Sequence, residues 1–408
     1  MTRRHLAFAT LTIVLVAALA GTAGARRNQA PLKGEGKKMK IVANIPYKGG
    51  TDMEFATIKG HDYAFTGSAP GVGGATKGAF RVIDVDNPAR PRVAATLNCS
   101  LYQADVQLSH NKKTAILAAD SAGGPGSCLA LGKLGFMTID ISNPRKPKPI
   151  GFAEIPRGSH NTTAHPKKPF VYNSDSDLAG APGEIEIWSI KNPAKPKKVG
   201  EMVVPGHSPH DISFNKRGTK AVTAAVSHID IIDTKNPAEP QLMFTTQCPG
   251  CSITHDAKFT PNGKTVVVGD EGGGGGGYPC PGGALYFYSL EGGAALVLRG
   301  IYEPNEVIFA RDGQELPQAC TSHVFDISND GRHIAISWYS AGTRYLDISN
   351  FQGATFGEEG NGVTEVGWFM PKGGVSWSSK FFKGQYIYSN DEHRGFDVFK
   401  IMAKGHRH

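Results

Sequence analysis

After its first 25 residues the chain has no apolar run long enough to cross a membrane as a helix, so the mature protein is expected to carry no membrane span. The longest glycine run, Gly272 to Gly277, is not followed by Gly-Lys-Ser/Thr and is therefore not a phosphate-binding loop. No G-x-S-x-G elbow and no Ser-His-Asp arrangement is present, which sets aside the common nucleophilic hydrolases. Basic residues are not interleaved with aromatics, so no nucleic-acid partner is expected. The formal charge of +8 falls to +6 once Arg3 and Arg4 leave with the leader described below. That mild excess, spread through tracts such as "KPKKVG", reads as solvated surface.

The first 25 residues, "MTRRHLAFATLTIVLVAALAGTAGA", have a basic start, an apolar middle and small residues at Ala23 and Ala25. This is the pattern of a secretory signal peptide. Arg3-Arg4 also permits the twin-arginine route beside the general secretory one. No cysteine lies near the cut, which argues against a lipid anchor. The protein is expected to be secreted or displayed on the exterior of the cell envelope, as a monomer. Residues 1–25 are assigned to the signal peptide, 26–38 to a flexible basic linker, 39–402 to the fold and 403–408 to a disordered tail.

Helical periodicity is scarce, while short alternating runs and turn residues abound, with 51 glycines and 26 prolines. That composition is all-β. An apolar run followed by N-P-x-x-P recurs with its asparagine at 87, 143, 192 and 236, as in "FRVIDVDNPARP" and "IEIWSIKNPAKP". Looser copies start at Leu285 and Thr343, and a fragment, "FDVFKI", starts at Phe396. Each unit begins with a strand, a hairpin turn and a second strand, as in "HDAKFTPNGKTVVVGDE". Seven repeats of four antiparallel strands predict a seven-bladed β-propeller. The last unit stops after its third strand, and "MKIVANIP" from Met39 resembles a fourth strand. The N-terminal strand is therefore expected to complete the last blade.

The repeat, with its NP-x-x-P signature, resembles that of the LVIVD-repeat proteins, β-propellers of bacterial and archaeal cell surfaces. The resemblance spans nearly the whole mature chain and is closest in the first four units. It implies architecture and an extracellular location rather than one activity.

The loops joining second to third strands are long, as in "DSAGGPGSCLALGKLG" and "DEGGGGGGYPCPGG", whereas those on the opposite face are short hairpins. The looped face is expected to hold an extracellular ligand or protein partner. Six cysteines in an exported chain read as three disulfides. Loop phase pairs Cys99 with Cys128 and Cys251 with Cys280, leaving Cys248 for Cys320. Cys248-Pro-Gly-Cys251 also has redox spacing, but such pairs sit at helix N-termini, and no helix is expected there.

Aligned inner strands put Asp52, Ala104, His160, His210, His255, His323 and Ser378 at comparable positions. Four consecutive blades thus offer histidine near the axis. Imidazole is the commonest ligand for transition metals, so His160, His210, His255 and His323, with His207 as a further candidate, are predicted to line a site for iron, copper or zinc. A packing habit of the repeat is the competing explanation. Glu271 and His393, near the ends of second strands, are the catalytic candidates. Two functions are therefore carried forward: a binding module with a histidine-lined axial metal site, and a metalloenzyme that opens the same site to oxygen or water as an oxidase, oxygenase, lyase or hydrolase.

Overall fold

The computed structural model describes residues 32–99, 101–120, 132–175, 177, 182–272, 283–304, 320–349, 351 and 362–403. The signal-peptide segment, the terminal Gly-His-Arg-His, Cys128, Cys280 and most of three of the long loops lie outside them.

The chain is an all-β, seven-bladed propeller of antiparallel sheets, taken in chain order around the ring. The seven inner strands are Gly50–Ile58, Gln103–Leu108, Asn161–Ala164, Asp211–Phe214, Thr254–Phe259, Phe325–Ile327 and Ser376–Phe381. Blade seven takes its outer strand from the start of the chain, Met39–Pro46, which pairs antiparallel with Gly395–Ile401. Within the segment assigned to a linker, Gly34–Lys37 instead forms a fifth strand on blade six, with Gly36 opposite Phe369. A Cβ at Gly36 would lie 2.5 Å from the Phe369 ring, so the close pairing requires glycine there.

Burial explains the hydrophobic pattern. The second strand of blade two, Thr114–Ala119, is buried at every position, because both of its faces meet a neighbouring blade. The outer strand Lys197–Val204 is mostly exposed, with Lys197, Lys198 and Glu201 facing solvent while Met202 and Val204 are buried. Between blades one and two, Phe65, Phe80, Val106, Leu117 and Met137 fill the joint. Each such buried side chain contributes about 1.5–3 kcal/mol.

The N-P-x-x-P segments do the same work in four blades. The carbonyl of Asn87 accepts from Arg90 N–H at 2.8 Å while its side-chain oxygen accepts from Ala89 N–H at 3.1 Å. Asn143, Asn192 and Asn236 repeat both bonds. Proline presets φ for the second turn position and the asparagine side chain closes the turn.

In blades two, four, five and six the hairpin between first and second strands ends on a left-handed residue, glycine at Gly218, Gly263 and Gly331 but Lys112 (φ 55°) in blade two. A side chain there costs about 1–2 kcal/mol, and glycine returns part of the gain through backbone entropy. Lys112→Gly is therefore expected to stabilise the protein by about 0.5–1 kcal/mol in chemical denaturation.

Hydrogen bonds, most of them through side chains, stitch neighbouring blades together around the whole ring. Ser378 Oγ donates to the Thr51 carbonyl at 2.9 Å, and Thr51 Oγ1 to the Ala104 carbonyl at 3.2 Å. Thr162 N–H donates to Asp105 Oδ2, and Thr163 Oγ1 to the Ile212 carbonyl. Thr254 N–H donates to the Val226 carbonyl. Phe325 N–H donates to Asp256 Oδ2, and Phe381 N–H to Asp326 Oδ2 at 3.0 Å. Asp105, Asp256 and Asp326 are thus joints between blades, whereas Asp211, next to His210, bonds only the amide of Ile212 in its own strand.

Burial pushes the Asp326 carboxyl from its usual 3.8 up to about 6, against the pull of the Phe381 amide and of Lys380 and Lys258 and with a push from Glu54. A carboxyl raised on folding lends stability below its unfolded pKa and loses it as pH rises through the folded one. Asparagine keeps the acceptor and does not titrate. The stability of Asp326→Asn relative to wild type should therefore rise by about 2 kcal/mol between pH 4 and pH 8, read from paired urea unfolding curves.

Candidate metal centre

Four backbone geometries aim four imidazoles at the axis. His160 N–H donates to the Ser174 carbonyl, His210 N–H to that of Ala224 and His323 N–H to that of Ser337. These are equivalent bonds, each anchoring a residue one or two positions before its inner strand to the end of the second strand. His255 sits within its strand, where a bulge between Thr254 and Asp256 restores the same placement. The rings form an arc, with centroids 4.3 Å apart for His160 and His210, 4.1 Å for His210 and His255, and 4.0 Å for His255 and His323.

Glu271, one residue beyond the second strand of blade five, enters this arc. Its Oε2 lies 3.8 Å from His255 Nε2 and its Oε1 lies 3.6 Å from His323 Nε2. Ligand atoms of His210, His255 and Glu271 all fall within 4.8 Å of one another, and all three residues are buried. Tyr339 Oη donates to Glu271 Oε1 at 2.5 Å.

The protonation pattern follows from the partners. His323 Nδ1 lies 2.6 Å from the Trp377 carbonyl, which can only accept, so that nitrogen carries the proton. Burial holds the His323 pKa down at about 3, so the ring is neutral and its Nε2 turns a lone pair toward Glu271. Burial, followed by the neighbouring imidazoles, holds His210 and His255 well below the usual range. Burial also raises the Glu271 carboxyl to about 7, although the Tyr339 hydroxyl opposes that. An acceptor therefore faces an acceptor unless a proton or cation lies between them. His210 Nδ1 and His255 Nδ1 are buried without a hydrogen-bond partner. Neutral imidazoles, one carboxylate and orphaned nitrogens fit a transition-metal ion.

His160 closes one end of the arc. Its Nδ1 lies 3.2 Å from Asp120 Oδ2, the carboxylate–histidine arrangement that orients ligating imidazoles. Its Nε2 lies 2.9 Å from His210 Nε2 and 3.3 Å from Gln103 Nε2.

Not every predicted residue arrives. His207 bonds Ser227 on the exposed surface, away from the arc. His393 sits beside Gly73 in blade one's loop and makes no contact with the four rings. Tyr339, Trp377 and Gln103 join the site although sequence reading did not single them out. Gln103 and Ala104 both have positive φ (68° and 50°), so it is Gln103, one residue before the aligned Ala104, that reaches His160. That slip leaves no mark in the hydrophobic pattern.

The expected cysteine pairing is corrected. Cys248 is bonded to Cys251, so neither a 251–280 nor a 248–320 bridge exists. The two Cα atoms are 5.4 Å apart in a turn closed by Cys251 N–H on the Cys248 carbonyl, and this local proximity prevails over loop phase. Cys99 and Cys320 are also disulfide-bonded.

No protein-family model matches the chain, and no curated protein matches it. Among solved structures, it is similar to the β-propeller domain of Myceliophteria thermophila Cps50 (Swd1), with 12% identity and a TM-score of 0.59 over 88% of this chain and 99% of that one. It is also similar to a functionally unknown protein from Desulfotomaculum acetoxidans, with 16% identity and a TM-score of 0.55 over 79% of this chain and 89% of that one. At such identities the likeness speaks for the fold alone. Among the described residues no helix is long and apolar enough to cross a membrane.

Proposed function

We propose that this is an exported, LVIVD-like propeller that holds one transition-metal ion at the head of its axis, with His210, His255 and Glu271 as ligands. His323 and His160 flank them. The observation that carries this reading is the convergence of two imidazoles and one carboxylate, all buried, within 4.8 Å. Two nitrogens and one oxygen suit iron(II), copper(II) or zinc, and three protein ligands leave coordination positions open. The looped face then serves a ligand or partner outside the cell. The Cys248–Cys251 disulfide is in keeping with an oxidising compartment.

A second reading, a metalloenzyme acting on an extracellular substrate, is favoured by the axial cavity, which His255 and His323 line. In that case the ion would supply Lewis-acid or redox chemistry. Tyr339 would hold Glu271 in place, and Asp120 would hold His160.

Elemental analysis of protein exported by its own leader tests both readings, beside a His210→Ala/His255→Ala variant. One equivalent of iron, copper or zinc, absent from the variant, is the outcome expected. A folded wild-type protein that takes up no metal even on reconstitution would overturn the proposal and leave the histidines as packing residues.

A further inference from the structure

Below the histidine arc the axis opens into a cavity of about 290 Å³. His255 and His323 line its head, while Asn215, Phe259 and Ile327, at the opposite ends of their inner strands, line the far end. The far end therefore lies toward the short hairpins, where exposed Lys216 stands, and not toward the long loops. The volume is near the lower limit of small-molecule pockets, roughly 300 Å³.

The wall is rich in carboxylates: Asp52, Glu54, Asp105, Asp211 and Asp326. Its two inner lysines are already engaged. Lys380 Nζ lies 3.1 Å from Asp52 Oδ1 and 2.8 Å from Glu54 Oε1. Lys258 is paired with Asp256 behind the wall. Asp105, Asp211 and Asp326 have no lysine or arginine within ion-pair distance among the described residues. Each uses an oxygen on a backbone amide, of Thr162, Ile212 and Phe381 respectively.

These carboxylates do not form a cage for a divalent ion. Such an ion needs several oxygens at about 2.3–2.6 Å. Among the described residues, His210–His255–Glu271 is the sole group of three or more His, Cys, Asp or Glu whose ligand atoms come within 4.8 Å of one another. The acids are instead spread along walls that also carry Ile212, Phe259 and the Trp377 ring. Spread carboxylates beside apolar and aromatic surface suit an organic cation, whose N–H groups donate to the acids while its methylenes and charge meet the rings. His255, only 2% exposed, borders the same cavity at its head.

We propose that the axial cavity binds a small primary alkylammonium ion, best a short diammonium, through Asp105, Asp211 and Asp326. This site needs no metal and stands independently of the metal reading. Burial raises the Asp326 carboxyl to about 6 and holds that of Asp105 well above the usual range, a cost that a bound ammonium would offset.

Isothermal titration at pH 8 on the full mature chain, both stripped of metal and loaded, tests the proposal. The probes are butane-1,4-diammonium, butylammonium, butane-1,4-diol and calcium. The diammonium should bind one to one in both forms, more tightly than butylammonium, while the neutral diol should not bind. Asp105→Asn and Asp326→Asn, which keep their backbone acceptors, should each weaken binding about tenfold. Asp211→Asn, whose amide contact stays within its own strand, serves if either of those fails to fold. Absence of amine binding would overturn the proposal. So would equal affinity in folded variants, comparable binding of the diol, or calcium occupying the site in place of the amine. Because the amine is titrated with and without metal, failure here leaves the metal reading untouched, and the reverse also holds.

Discussion

Glu271→Gln is expected to lower the affinity for a divalent transition metal by about 10²–10³-fold while leaving the fold intact. The substitution keeps the volume and an oxygen that can accept from Tyr339 Oη, so packing and the 2.5 Å contact have a replacement. It removes the one carboxylate that converges with His210 and His255. In a buried site the ion would then lack a neutralising charge. Tyr339→Phe separates positioning from ligation. It leaves every ligand in place and removes the hydroxyl that fixes Glu271, so a smaller loss of about 10–100-fold is expected. Chelator competition with zinc, alongside thermal unfolding of each variant, reads both effects. Equal affinity of wild type and Glu271→Gln would exclude the carboxylate as a ligand.

Removal of residues 32–46 is expected to abolish cooperative folding. Met39, Ile41, Ala43 and Ile45 bury their side chains in the joints at blade seven. Together they contribute several kcal/mol, a large part of the roughly 5–15 kcal/mol that holds a typical domain together. Their loss would also leave Gly395–Ile401 as an open edge, prone to pair with other chains. Removal of residues 32–38 alone should be far milder, because Gly34–Lys37 is exposed throughout and adds a fifth strand to a blade that already has four. Circular dichroism melts and size-exclusion profiles of the two truncations make the comparison. Similar behaviour of both would show that Met39–Pro46 is not a main support of the ring.

The four histidines could be found in the sequence because each blade repeats the same backbone path. A residue at one phase of the repeat must reach one level of the axis, so His160, His210, His255 and His323 could be brought together on paper. Glu271 was legible as a carboxylate at the end of a second strand. Its pairing with Tyr339 was not, because the two lie 68 positions apart and meet through side-chain length rather than strand phase. Trp377 and Gln103 were hidden for related reasons. One contributes its carbonyl to His323, and the other reaches His160 through a local twist at two residues of positive φ. The cysteines misled because loop phase describes where strands run, whereas a disulfide depends on a separation of a few ångströms.

Repetition of N-P-x-x-P turns, hairpin glycines and apolar third strands was enough to dictate seven blades and their order, since these are local preferences that act within about ten residues of chain. They also set the level at which the histidines stand. Ring closure and side-chain reach decided the rest: the carboxylate that joins the imidazoles and the acidic cavity beneath the arc. Those features depend on distances between residues from different blades. Periodicity fixes the direction in which a side chain leaves its strand, but not what it meets across the axis.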